Sequence, residues 1–238
     1  LLVIVAVLAS LWGRLHIEKS IVVAAVRAAA QLAAVSAIIV LAIGQLWSSL
    51  LFVLAMYAIA VWTTTGRVGS RNVLHWSALA VLAGVLPVLL VIFATRTAPF
   101  NGYALIPIGS IIVGNMMTAH TLNGRRQFAE LRANVPTYEA ALSIGLTRGE
   151  AIDLTTHHIA AEALVPNMDS TRTVGLVTLP GAFIGVLLGG GGPIRAGASQ
   201  LLVLIGIMAG QVATVVVMNF LIRSARLLPA DLREQLRP

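Results

Sequence analysis

The chain has 238 residues, of which 58% are hydrophobic and only 11% charged, with no cysteine and a net charge of +7. Soluble domains carry about 25% charged residues, so this composition points to a bilayer, and the missing thiols exclude disulfides and thiolate metal sites. In a soluble protein the positive excess would suggest nucleic acid; here orientation in the membrane accounts for it, and no nucleic-acid partner is expected.

The first apolar run, Leu1–Trp12, makes about 18 Å of helix at 1.5 Å per residue, short of the roughly 30 Å hydrocarbon core. It reads as the end of a span that begins before Leu1. A signal peptide is the alternative, but no basic segment precedes the run and no small-residue cleavage pattern follows it. Further runs fall at Ile21–Ile43, Leu50–Thr65, Trp76–Thr95, Tyr103–Leu122, Val174–Leu188 and Leu201–Ile222. Together they predict an all-α membrane protein of about seven transmembrane helices, the first truncated.

If the Arg14–Lys19 turn is cytoplasmic, thirteen of the sixteen basic residues lie on inside segments. Arg96 and Arg195 lie outside, and Arg27 lies within a span. Positive residues collect on the cytoplasmic side, which places the N-terminus outside and the C-terminus inside. All nine acids fall on the same inside segments and none within an apolar run. Ion-coupled transporters commonly use an intramembrane carboxylate, so the pattern disfavours one. Lys19 follows Glu18 without a Gly-rich turn, so the chain carries no P-loop.

In the second span Arg27 and Gln31, four apart, share a helix face. Arg27 either snorkels to the interface while Gln31 bonds to another helix, or the two line an inward-open cavity. Asn115, Met116, Met117 and His120 gather in the fifth span. Asn115 joins the candidate pathway lining. Met116, Met117 and His120 either pack or hold a transition metal weakly through thioether and imidazole.

The segment Asn123–Thr173 is too long for a plain connector and predicts a helical cytoplasmic insert within a single permease domain, residues 1–238. Pro136-Thr137 opens a first helix that Gly145 stops as a C-terminal cap. Thr147 and Glu150 fit a capping box for a second helix running to near Leu164, before Pro166. His157 and His158 are adjacent on that helix and read as solvated rather than ligating. Asp169 and Arg172 read as an N-cap with a local ion pair, or as a signalling point at an ATPase interface. Gly181, Gly185 and Gly189 recur at four-residue spacing, which allows close helix contact within the subunit or across a dimer.

Glu139-Ala140-Ala141-Leu142-Ser143-Ile144-Gly145 resembles the E-A-A-x-x-x-G string by which membrane subunits of bacterial ABC importers dock on their ATPase. The small alanines and the Gly elbow suit a short helix lying in a cleft. More specifically, Ala163 to Gly181, with the string Asp169-Ser170-Thr171-Arg172-Thr173-Val174-Gly175-Leu176-Val177, resembles the signature of the FetB-type iron-export permeases. Arg27-x-x-x-Gln31-Leu32, Ile106-Pro107-Ile108 and Gly114-Asn115 are similar to that family too, which includes plant aluminium-sensitivity proteins. The resemblance implies the membrane subunit of an ABC transporter in a bacterial plasma membrane, a homodimer exporting metal ions, iron being the usual assignment. ATP and magnesium would sit on a partner ATPase, with no cofactor on this chain. Tyr138, Glu139, Ala140, Ala141, Gly145, Thr147 and Glu150 would make the coupling surface. The rivals are an ATPase-independent secondary transporter or channel, and a sensor or scaffold that uses the insert as its output surface.

Overall fold

The computed structural model describes residues 1–237, the Leu41 side chain excepted. Its first helices are α1 (Leu2–Trp12), α2 (Glu18–Ala42), α3 (Leu46–Val68), α4 (Leu74–Ala94) and α5 (Gly102–Ala133). There follow α6 (Val135–Ser143), α7 (Arg148–Thr156), α8 (Val165–Thr173), α9 (Gly181–Leu188), α10 (Pro193–Arg223) and α11 (Ala230–Gln235). Among the described residues no strand forms; a single isolated bridge joins Val174 and Thr178.

Among the described residues five helices are long and apolar enough to cross a membrane: α2, α3, α4, α5 and α10. The other two apolar runs do not form long helices. Leu2–Trp12 is a short helix, and the run Val174–Leu188 is broken: a turn over residues 175–177 precedes the eight-residue α9. The reason is local. Gly175 takes a left-handed φ of +83°, and Pro180 can donate no backbone hydrogen bond, so no helix passes through this stretch.

α3, α4, α5 and α10 form the bundle, packed around Val61, Val81, Val85, Ile112, Met116 and Ile207. α4 and α10 touch at their backbones. A Cβ at Gly84 would lie 2.1 Å from Thr214 Oγ1 and 2.3 Å from the Gly210 carbonyl oxygen. Glycine is required there because nothing larger fits between the helices.

With 32 and 31 residues, α5 and α10 reach about 45–48 Å, well beyond a bilayer core. α5 therefore does not stop near Leu122. Its end and that of α10 carry α6, α7 and α11 in one core of Phe128, Leu131, Tyr138, Ile152, Leu221 and Leu232. The insert is thus a knob rooted in the bundle. Its second helix ends at Thr156, short of the expected Leu164, and a 3-10 turn, Ala160–Ala163, follows. Pro166 starts α8 instead of stopping α7, since proline fits the first helical turn, where its missing N–H has no partner to lose.

Candidate functional site

The signature stretch runs from the end of the 3-10 turn through α8 and the break to the start of α9. Ala163 and Leu164 pack on Ala119 and Leu122 of α5 and on Val215 of α10, about 26 Å along α5 from Gly102. From there α8 runs back along the bundle, because Asn167, Val174 and Thr178 border one cavity with Pro107 and Ile111 of α5. Those two lie only about 8–14 Å from Gly102. The chain therefore re-enters the bundle near Leu164, ahead of the Thr173 boundary. Asp169 sits beside the spanning helices, not among the segments outside them. Nor is it an N-cap: α8 begins before it, and it pairs with Arg172 at 3.4 Å on an exposed face.

The cavity holds about 620 Å³ between α5, α10 and the break, with Gln200 and Ile207 on its α10 wall. Two polar groups mark it. Gln200 Oε1 accepts from the Phe183 backbone N–H at 3.2 Å, closing the first turn of α9 from another helix. Asn167 Nδ2 is shielded from solvent and has no hydrogen-bond partner. Non-helical backbone at membrane depth is tolerated where it is buried in protein or lines a cavity, and discontinuous helices commonly form transport sites.

The structure separates the other expected pathway residues. Arg27 and Gln31 are exposed on α2, which packs on α1 and, through its last turn, on the starts of α3 and α5, and stands apart from Asn115. Asn115 turns inward: its Nδ2 donates to Ile111 O at 2.8 Å, and its carbonyl accepts from Gln211 Nε2 at 3.3 Å. Met116 is fully buried against Gly84 and Gly210, and half-buried Met117 packs beside the same core. His120, also fully buried, shares a hydrogen bond of 2.9 Å between Nδ1 and Thr64 Oγ1, while its Nε2 has no partner. Among the described residues no group of three His, Asp or Glu side chains is placed to hold a metal ion.

The elbow forms as its caps dictate. Leu146 N–H donates to Ala141 O at 3.1 Å and Gly145 N–H to Leu142 O at 3.0 Å, a Schellman closure with Gly145 at φ +94°. Thr147 and Glu150 complete a reciprocal capping box. The Thr147 hydroxyl and backbone N–H hold the Glu150 carboxyl below its usual range. Two faces result. Tyr138 and Ala141 point into the knob core, Tyr138 Oη donating to Leu236 O at 3.1 Å. Glu139, Ala140, Gly145, Thr147 and Glu150 are exposed around Ile144, which is 78% exposed at the tip.

A family model described as "Uncharacterised protein family (UPF0014)" matches residues 1–226. The chain belongs to the UPF0014 family. The membrane protein STAR2 of rice is 27% identical over 92% of this chain and 78% of its own length. YjkA of Bacillus subtilis is 29% identical over 92% of this chain and 89% of its own. FetB of Escherichia coli, named a probable iron export permease, is 30% identical over 85% of this chain and 80% of its own. No solved structure matches the chain. As a UPF0014 protein it is a multi-pass helical membrane protein, and no nucleotide-binding domain is evident among its described residues.

Within this UPF0014 chain the Gly181, Gly185, Gly189 stripe meets no other helix: nothing lies within 4 Å of a Cβ at Gly181 or Gly185, and Gly189 meets only its own turn. Close packing instead uses Gly206, Gly210 and Thr214, with the same spacing, against Gly84 and Val88.

Proposed function

We propose that the chain is the permease subunit of an ABC transporter that exports metal ions, iron first among them, with a separate ATPase docking on the elbow. The elbow carries this reading. Its outer face, with Glu139, Ala140 and Ile144 exposed, stands on an inner face fixed by Tyr138 and Ala141. A lever must be free on one side and rigid on the other, and this one roots in α5 and α10, the two long helices that also wall the cavity. ATP binding on the partner would swing the elbow and tilt those helices, a rigid-body switch between accessible sides.

The substrate reading draws on the name of FetB and on that of the Arabidopsis protein ALUMINUM SENSITIVE 3, 26% identical over 85% of this chain. Two copies would pair through the faces that a single chain leaves bare, with the broken segment lining the pathway between them. The knob end would lie in the cytoplasm of a bacterial cell, following its basic residues.

Affinity purification of the full chain in mild detergent is expected to retain an ABC-type ATPase, identified by mass spectrometry. Its hydrolysis in proteoliposomes should rise with iron. Glu139→Lys, on the exposed face, is expected to abolish retention and metal efflux while the permease stays folded in the membrane. ATP-independent metal flux through the purified chain alone would overturn the reading in favour of a secondary transporter or channel.

A further inference from the structure

At the knob end of the bundle three arginines converge, and among the described residues no ion pair engages them. A cleft of about 420 Å³ is lined by Asn72, Arg148, Ala230, Arg233, Glu234 and Arg237. The ion pairs found among the described residues use Arg126, Arg132, Arg172 and Arg223. Among the described residues one carboxylate, Glu234, shares the cleft with three guanidinium groups. Arg148 is the sharpest case: its Nε and Nη2 are both shielded from solvent and have no hydrogen-bond partner. These two nitrogens share one edge of the guanidinium, the fork that takes two oxygens of a phosphate or carboxylate.

The surroundings hold this fork in place. Arg148 opens α7 immediately after the elbow, and its charge and a hydrogen-bonding contact from its side chain act on buried Tyr138, opposing the upward push that burial gives the phenol. Tyr138 Oη in turn donates to Leu236 O at the end of α11. Asn72 Nδ2 donates to Leu228 O at 3.2 Å, tying the turn between α3 and α4 to the segment before α11. The rim is thus braced from three directions. A donor edge shielded from water and left without an acceptor is costly, and like charges brought together add to that cost.

We infer that this cleft is a binding site for a phosphate-bearing anion, held by Arg148, Arg233 and Arg237. Asn72 lies at the end of two spanning helices, so the cleft opens at the level of lipid headgroups. The phosphate can come from an anionic phospholipid or from a soluble phosphate. Bound there, it would clamp the start of α7 to α11 and set how freely the elbow moves. The inference does not depend on what docks on the elbow.

The test is thermal unfolding of the full chain in neutral detergent, in inorganic phosphate and in chloride at equal ionic strength. A second arm uses phosphatidylcholine nanodiscs with and without phosphatidylglycerol. The expected result is a higher Tm with phosphate, identifying a soluble anion, or with phosphatidylglycerol alone, identifying a headgroup. Arg233→Gln and Arg148→Gln should weaken that response at least tenfold in anion concentration. Arg195→Gln, at the opposite end of α10, should leave it intact. Arg233→Gln should also be at least as stable as the wild type in chloride, because it relieves repulsion; a merely structural arginine would lower Tm there and leave the anion response unchanged. Absence of any rise in wild-type Tm with either phosphate or phosphatidylglycerol would overturn the inference, as would an undiminished response in both variants.

Discussion

Gly84→Ala is the substitution whose cost the structure specifies most directly. The new methyl carbon would stand 2.3 Å from a backbone carbonyl oxygen on α10 and 2.7 Å from Met116 Sδ, where ordinary contact begins at 3.4 Å. Thr214 Oγ1, at 2.1 Å, can rotate away, but the Gly210 carbonyl cannot. α4 and α10 must part by about 1 Å along their crossing, losing dispersion contacts among Val85, Val88 and Ile207. Overpacking of this kind costs about 1–3 kcal/mol; helix propensity returns at most about 1 kcal/mol of it. A net loss near 2 kcal/mol is expected, because two contacts are violated and one is immovable. The control is Gly185→Ala, which meets nothing within 4 Å and should be neutral or slightly stabilising in a single chain. Denaturant titration in mixed micelles, followed by tryptophan fluorescence, measures both. A Gly84→Ala protein as stable as the wild type would refute the backbone contact between α4 and α10, and with it the placement of Met116 in a closed core.

Two further outcomes concern the elbow. At Gly145, with φ +94° and open space around it, any side chain costs strain and not collision, about 1–2 kcal/mol for ordinary residues and less for Asn. Gly145→Asn should therefore keep coupled transport while Gly145→Val loses it, measured as metal efflux per ATP hydrolysed by the complex. Thr147→Ala removes the capping box of α7 at a local cost of about 1 kcal/mol. Hydrogen exchange at the first turn of α7 should quicken by about fivefold, with the bundle amides unchanged.

What could be read from the sequence follows how far the deciding interaction reaches. The elbow was readable to the residue because Schellman closure and capping box act within a few positions. The spanning helices were readable because length and apolarity define them, whereas the end of α5 was not: Asn123–Ala133 is polar on its face yet packs in the knob core. The run Val174–Leu188 misled because apolar content does not distinguish a helix from a break. Its punctuation, Gly175 and then Pro180-Gly181, carried the needed signal. Pro166 signals a helix boundary without saying which kind, since proline serves as a start as well as a stop. The glycine stripes show the limit of spacing rules. Two stripes share one period, and which finds a partner depends on tertiary placement: Gly210 meets Gly84, and Gly185 meets nothing.

That bare stripe belongs with other bare features, and together they constrain how the chain sits in a membrane. α2 is as apolar as a spanning helix, yet none of its membrane-length window is buried, and Arg27 and Gln31 lie exposed on it. α8 exposes its Asp169–Arg172 pair beside the bundle, and the break exposes Leu176 and Val177 almost fully. Leu176 and Val177 would be at ease in lipid; Arg27 and the Asp169–Arg172 pair would not, since charges at that depth face protein or water. The break satisfies part of its backbone internally, with Gly175 N–H bonded to Thr178 O and the Leu176 and Val177 N–H groups to Thr173 O. What remains is an exposed Asp169–Arg172 pair and a bare small-residue helix beside a cavity of about 620 Å³. Lipid tails offer those polar groups no partner. A second copy presenting the same faces would offer both a close surface for the glycines and a hydrated seam for the charges, which is why the pathway is proposed between two chains and not through one.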